Sequence, residues 1–371
     1  MFLNSKFNNL NSNISLKYNC KNFMNKKFVI KIFLLIAMLN IAATNVNAQE
    51  GSYAGSFARM GFGARGLSMG NALVSDIYGD VSGYYNPALS CFQDQGYLNL
   101  GYTFLTLDRS LNYVGFSKKF NLPNKADQGA GISLSWINAG VGNIDGRDND
   151  TRQTGMLNTF ENQFYLGTGF LLDKDFSVGV GFKLYYSKLY DGVKSSTVAF
   201  DIGSIYRVMP NLSLGFAVRD ISAKYKWDSS PVYGTSGTTT TDKFPTLIDL
   251  GGTYELPNKR GSVSLEFETI SNPRFETTDS LGNVTQSDRK IEYTFKIGAE
   301  YKLTEQFILR GGVDRIDFSA DDLMGNIKPG LGIGFYKTFT KNTLLGIDYS
   351  FQYEPFTHDG IHNISIGFKF K

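Results

Sequence analysis

Two cysteines, two histidines, two tryptophans and nine prolines are all that this 371-residue chain holds of those residue types. Cys20 lies in a segment expected to be removed, which leaves Cys91 alone. No intramolecular disulfide and no cysteine metal set is then available, and a lone Cys91 reads as a buried structural thiol. His358 and His362 both fall near the last polar connection, in loop and strand. Their four-residue spacing would serve a metal only on a helix, and no Ser–His pair fixed on a wall is in sight. The acidic run Asp145-Gly-Arg-Asp-Asn-Asp150 looks like a calcium loop, but no Glu stands where such a loop needs its last ligand. The chain therefore reads as a non-enzyme without metal or cofactor.

Long apolar runs are missing too. Ile32 to Leu39 is the apolar core of a short segment preceded by Lys26, Lys27 and Lys31 and followed by Val46-Asn-Ala48. That is a secretion signal, well short of the roughly 20 residues that a membrane-spanning helix requires. Residues 1–48 are expected to be the signal region, with Met24 as an alternative start. They hold six lysines and no acids, so removing them turns the formal net charge from +3 to about −3, with 31 basic residues against 34 acidic. The basic character belongs to the signal, and no nucleic-acid partner is expected.

What the chain has in abundance is glycine (40), phenylalanine (30) and tyrosine (21), set in strict alternation. In Ile291-Glu-Tyr-Thr-Phe-Lys-Ile-Gly-Ala-Glu-Tyr-Lys-Leu303 the odd positions are apolar and the even ones polar or charged. Segments 176–184, 263–268 and 345–351 repeat the pattern, as does Ile364-Ser-Ile-Gly-Phe-Lys-Phe370. Alternate side chains point to opposite faces of a strand. One face here is nearly pure Leu, Ile, Val, Phe and Tyr, while the other carries Lys, Glu, Asp and Arg. No dry sandwich core would accept those charges, whereas a watery lumen would. About 14 such strands can be placed, near 97–106, 111–120, 129–139, 159–171, 176–188, 195–207, 211–220, 244–255, 261–270, 290–302, 306–316, 328–338, 343–353 and 361–370. Short turns alternate with longer polar connections at 140–158, 221–243, 271–289, 317–327 and 354–360. Together these features predict an all-β fold, a 14-stranded antiparallel transmembrane β-barrel at 96–371 in a bacterial outer membrane, with both termini periplasmic. Phe120, Tyr206, Tyr254, Tyr301, Phe335 or Tyr336, and Phe368 precede short turns or the chain end and read as one interfacial girdle.

Residues 49–95 are too glycine-rich for a lipid-facing wall and are expected to fold inside the lumen as a hatch. The stretch Ala54-Gly-Ser-Phe-Ala-Arg-Met-Gly-Phe-Gly-Ala-Arg-Gly-Leu-Ser-Met-Gly-Asn-Ala72, followed by Tyr84-Tyr-Asn-Pro-Ala88, resembles the N-terminal signature of the PorV/PorQ family, within the wider FadL-like group of 14-stranded barrels. Asn86, Pro87 and Ala88 match the Asn-Pro-Ala element of that group's hatch. The resemblance implies a non-enzymatic accessory of type IX protein secretion that binds secretion-system proteins or secreted cargo. The FadL-like branch implies instead a plugged channel that admits hydrophobic small molecules and releases them laterally.

Alternation points Asp201, Arg219, Asp249, Glu266, Glu268, Glu292, Lys296, Glu300, Arg310, Asp314 and Asp348 into the lumen. Their mixed signs predict salt-bridged ladders that pin the hatch rather than a selectivity ring of one sign. Arg59 and Arg65 are the expected hatch partners of those carboxylates. A hydrophobic ligand would find Phe57, Met60, Phe62, Leu67 and Met69 against the hatch, and packing of the plug against itself explains these five equally well. A protein partner would find Tyr225, Trp227 and Tyr233 in the connection at 221–243.

Overall fold

The computed structural model describes residues 53–80, 82–122, 125–148, 150–274, 276–278, 284–286, 289–318, 326–355 and 357–370. The expected signal region, residues 49–52 of the hatch and parts of the connections at 271–289 and 317–327 lie outside the described residues.

Fourteen strands form one closed antiparallel barrel. In chain order they begin with β1 (Gly96–Phe104), β2 (Arg109–Leu122), β3 (Lys125–Arg147), β4 (Gln153–Asp173), β5 (Phe176–Tyr190), β6 (Val193–Met209) and β7 (Leu212–Ile221). A small hairpin, β8 (Lys224–Asp228) with β9 (Thr239–Lys243), precedes β10 (Thr246–Glu255) and β11 (Gly261–Ser271). A second, β12 (Glu276–Thr278) with β13 (Val284–Gln286), precedes β14 (Ile291–Lys302), β15 (Phe307–Ile316), β16 (Lys328–Thr340), β17 (Thr343–Glu354) and β18 (Asp359–Phe370). Each wall strand pairs with the next, and β1 closes the circle against β18.

The alternation sorts side chains as a lipid-facing wall requires. On β14, Phe295 (41%), Ile297 (38%) and Tyr301 (41%) are exposed, while Lys296 (5%) and Glu300 (6%) are buried. A water-soluble protein would reverse that order. Phe120, Tyr254, Tyr301 and Phe335 face outward near the short turns. Tyr336 instead turns inward and is buried, so of the two adjacent aromatics Phe335 takes the rim.

Three connections are more ordered than the sequence predicts, the one at 271–289 through the β12–β13 hairpin. The β3–β4 ladder continues through Val141↔Thr159 and Ile144↔Leu157 to Gly146↔Gly155, well into the expected 140–158 loop. Backbone pairing does not need apolar side chains, so polar residues extend the ribbon beyond the apolar belt. The 221–243 connection likewise folds into β8–β9 around a short helical turn at Ser230–Tyr233.

Inside the barrel runs the hatch. It contains a 3₁₀ turn at Ser56–Arg59, a short helix α1 (Gly63–Ser68) and a second 3₁₀ turn at Pro87–Phe92. Asn86 caps that last turn by accepting from the Ala88 amide at 3.0 Å, with Pro87 preset for the first position. The hatch sits against inward-facing glycines around the wall. A methyl group at Gly131 or Gly169 would strike Ser90 and, at Gly169, Cys91; at Gly179 it would strike Pro87 and Ala88, and at Gly203, Asn86. The series continues with Gly215 and Gly251 against Val74 and Ser75, Gly298 and Gly312 against Met69, and Gly330 and Gly332 against Leu67 and Ser68. Gly312→Ala would push Cβ into the Met69 and Gly70 backbone, which has no rotamer to escape with. We expect it to cost about 1–3 kcal/mol and to lower the temperature at which the compact form is lost on a gel. Gly142→Ala, whose Cβ would meet nothing within 4 Å, should match the parent protein.

Candidate functional site: the hatch, its anchors and the chamber above it

Asn86 is fully buried and ties the hatch to the wall. Its Nδ2 lies within hydrogen-bond distance of Val74 O (3.0 Å), Ser204 O (3.2 Å) and Phe216 O (3.2 Å). The last two belong to a cross-strand pair of β6 and β7, so one amide bridges hatch and two wall strands. Ser177 on β5 adds a donor to Ala88 O at 3.2 Å.

Charge supplies three further anchors. Arg65 reaches Asp76 at 2.5 Å and Glu300 at 3.0 Å; Arg310 reaches the same Glu300 at 2.6 Å and Asp348 at 2.5 Å. Tyr336 donates to Asp348 at 2.9 Å, closing that network. Next along the wall Arg219 pairs with Asp249 (2.7 Å) and Glu268 (3.1 Å), and Lys296 pairs with Glu266 (3.0 Å) and Glu268 (2.8 Å). Glu266 also accepts the hatch amide of Val74 at 2.9 Å. The Asp249, Glu266 and Glu268 carboxylates converge within 4.8 Å of one another, and Arg219 and Lys296 answer that convergence. The third cluster joins Lys183 to Asp201 (3.0 Å) and Asp220 (2.8 Å), with Tyr185 donating to Asp220 at 2.6 Å. Tyr84 of the hatch lies beneath both Arg219 and Lys183, 5.6 and 5.7 Å from its ring centroid.

The lumen charges named from alternation all face inward, Glu292 and Asp314 less deeply than the rest. Asp314 accepts from hatch Asn71 at 2.9 Å, and Glu292 from Asn272 at 2.9 Å. Lys183 was legible by the same rule. Asp220 was not: strict alternation sends it outward, but a bulge between β6 and β7, with Asp220 at φ 60°, turns it in.

Of the two hatch arginines, only Arg65 meets carboxylates. Arg59 donates to the carbonyls of Ala54 (2.9 Å) and Tyr53 (3.4 Å) and has no ion pair among the described residues. The 3₁₀ turn folds its side chain back on the preceding segment. Burial lowers the Arg59 pKa from its ordinary value, opposed by Asp220. For Arg65 burial acts in the same sense, but Asp76 and Glu300 outweigh it and hold the guanidinium above its usual range.

The apolar hatch residues divide between the two readings open to them. Phe57 packs edge-on to Tyr185, and Phe62 lies between Tyr84 and Tyr113 with centroids at 4.6 and 5.5 Å. Leu67 (2%) and Met69 (0%) fill the contact between hatch and wall. These four are hatch packing: Leu67 and Met69 seat against inward glycines of the strands, and Phe57 and Phe62 against tyrosines. Met60 alone of the five lines the cavity on the side of the longer connections. That chamber has a volume of about 620 Å³. Its floor includes Arg59, Asn71, Tyr84 and Tyr85; its walls combine apolar Leu247, Ile270 and Ile361 with Arg219, Glu268, Lys296 and Asp314. A second cavity of about 40 Å³, lined by Arg65, Asp76, Asp80, Tyr85, Tyr97 and Asp348 among others, lies on the other side of the hatch.

Replacing Arg65 by Met leaves Asp76 without its cation in a buried site, while Glu300 keeps Arg310; the loss of about 3–5 kcal/mol should appear in denaturant titration of the refolded barrel. The double variant Arg65→Met/Asp76→Asn should recover part of it. Burial pushes the Cys91 thiol up to about 12, and it has no exposed surface. A maleimide should therefore label Cys91 only after unfolding.

No protein-family model matches the sequence, and no curated protein sequence matches it. Solved structures do match. The Pseudomonas putida toluene transporter TodX superposes with a TM-score of 0.56 at 14% identity, over 83% of this chain and 98% of that one. A TodX deltaS2S3 mutant, a monoaromatic hydrocarbon channel, gives 0.56 at 14% identity over 84% and 99%. A FadL homologue from Pseudomonas aeruginosa gives 0.53 at 13% identity over 83% and 97%. The fold is that of the FadL-like 14-stranded barrels.

Proposed function

We propose that this protein is an outer-membrane channel that takes small hydrophobic or amphipathic molecules into the chamber above its hatch. The observation that carries this reading is the chamber of about 620 Å³, closed below by a seated hatch, in a barrel folded like TodX and the FadL homologue. Its size lies within the roughly 300–1,000 Å³ typical of small-molecule sites. Apolar Leu247, Ile270, Ile361 and Met60 would face the body of such a ligand, and the surrounding charges its polar end. The longer connections would lie outside the cell and both chain ends in the periplasm.

A lateral exit fits the wall geometry. Above Phe200 no strand continues the ladder on the β7 side of β6. There the amides of Lys224 and Lys226 in β8 bond instead to the side chains of Thr197 (3.3 Å) and Ser195 (2.9 Å). Side-chain bonds part without breaking a backbone ladder, so this seam is where a ligand would leave sideways.

A PorV/PorQ-like role in type IX secretion is the second reading. It is favoured by Val232 (41%) and Tyr233 (67%), exposed in the β8–β9 connection, where a protein partner would dock. Native mass spectrometry of detergent-extracted protein separates the two. The channel reading expects retained toluene or decane, and a loss of about tenfold in affinity for Ile270→Trp, which fills the chamber. A barrel that binds neither probe and instead co-purifies with a large partner barrel or secreted cargo would replace the channel reading with the secretion one.

A further inference from the structure

The chamber and the small cavity below it share one lining residue, Tyr85. From this juxtaposition we infer that Tyr85 is the gate of a narrow polar passage through the hatch, open to water and small ions and closed to the larger ligand of the chamber. The inference goes beyond the channel reading, since it concerns a second route for a different class of solute.

The two sides of the Tyr85 ring are similar in chemistry. Above it the chamber presents Arg59, Asn71 and Lys296; below it the small cavity presents Arg65, Asp76 and Asp348. A buried aromatic ring is thus an apolar partition between two polar compartments. The lower compartment reaches the short-turn rim: Tyr97 is the second residue of β1, and Asp80 pairs with Lys369 near the end of β18 at 2.6 Å. Its volume of about 40 Å³ accommodates about one water. A ligand that fills the chamber does not fit there.

Tyr85 is held as a latch rather than as part of a ladder. Its hydroxyl accepts from the Phe62 amide at 3.2 Å and lies 3.0 Å from Asn71 Oδ1 and 3.3 Å from Phe62 O as acceptors. With one proton it serves one of those two acceptors at a time. The tip of the side chain occupies the space beside Gly66, where a Cβ would collide with it. Burial keeps the phenol above its ordinary pKa, so the latch is a neutral hydrogen-bonding group. The hatch backbone on either side is fixed against the wall glycines. A rotation of this one side chain would join the two compartments while the hatch stays seated.

Planar-bilayer conductance in potassium chloride tests the gate. The parent protein should conduct poorly, and Tyr85→Ala should raise the ohmic conductance by about tenfold. Tyr97→Ala enlarges the lower cavity without touching the partition and should leave conductance at the parent level. Tyr85→Cys in a Cys91→Ser background should conduct and be blocked by a charged methanethiosulfonate added on the chamber side; it also serves if Tyr85→Ala does not fold. Folding is checked by the heat-dependent gel shift. Folded Tyr85 variants with parental conductance, or a Tyr85→Cys variant that the reagent on the chamber side leaves conducting, would overturn the gate. Retention of toluene or decane by the same variants reports on the chamber separately, so its loss counts against the channel reading and not against the gate.

Discussion

Around most of the barrel the hatch backbone lies against the backbone of the wall, at positions where the wall has given up its side chains. Gly131 beneath Ser90, Gly179 beneath Ala88, Gly312 beneath Met69 and Gly330 beneath Leu67 bring main chain to main chain. The other features of the interior follow from that approach. A hatch so close to the strands leaves little room for water, so its polar groups must find partners on the wall. Asn86 meets strand carbonyls, the Ala64 amide meets Ser365 Oγ at 2.9 Å, and the Val74 amide meets Glu266. Glycine in a strand weakens the strand, and here that cost is offset by the contact it permits.

The buried ion pairs belong to the same arrangement. Buried salt bridges give little net stability compared with well-packed apolar residues, because desolvation of both charges opposes their attraction. Their effect is directional. Arg65 has Asp76 on its own segment and Glu300 on β14, so it can be satisfied only when the helix α1 is docked in one register. Glu300 is shared with Arg310, and Arg310 with Asp348 and Tyr336, which carries that register across β14, β15, β16 and β17. An apolar interior of equal stability would let the hatch slide; charges that lose their partners on sliding do not.

How much of this was legible in the sequence depends on what a period of two can encode. Phe295 out and Lys296 in needs only alternation, and so do the strand count and the inward set from Asp201 to Asp348. What alternation cannot encode is where a strand breaks its own rule. Asp220 turns inward at a bulge, and nothing in Val218-Arg-Asp-Ile221 announces the extra residue. Tyr336 and Phe335 were indistinguishable until the register was known. The apolar hatch residues stayed open for a related reason: Phe57, Phe62, Leu67 and Met69 suit a ligand pocket or packing equally, and the choice depends on wall residues remote in the chain, tyrosines for the two phenylalanines and glycines for Leu67 and Met69. Glycine abundance was visible, but its inward alignment opposite the hatch was not, since no local signal says which glycine will meet which hatch atom.

The same division explains how an identity of 14% to TodX coexists with one fold. A barrel wall tolerates any apolar residue outward and any satisfiable one inward, so sequence drifts while strand number and closure persist. The chamber is not so tolerant, because every side chain lining it alters what can occupy it. Here that lining sets Leu247 and Ile270 beside Arg219, Glu268 and Lys296, and the charged three are committed to one another. A ligand of the kind proposed would gain apolar contact from the first pair without having to break the ion pairs of the second group. A bare cation or anion would have to compete with partners already 2.8–3.1 Å apart. The paired charges thus behave toward a ligand as a rigid polar wall, and the unpaired apolar surface is what remains free to bind.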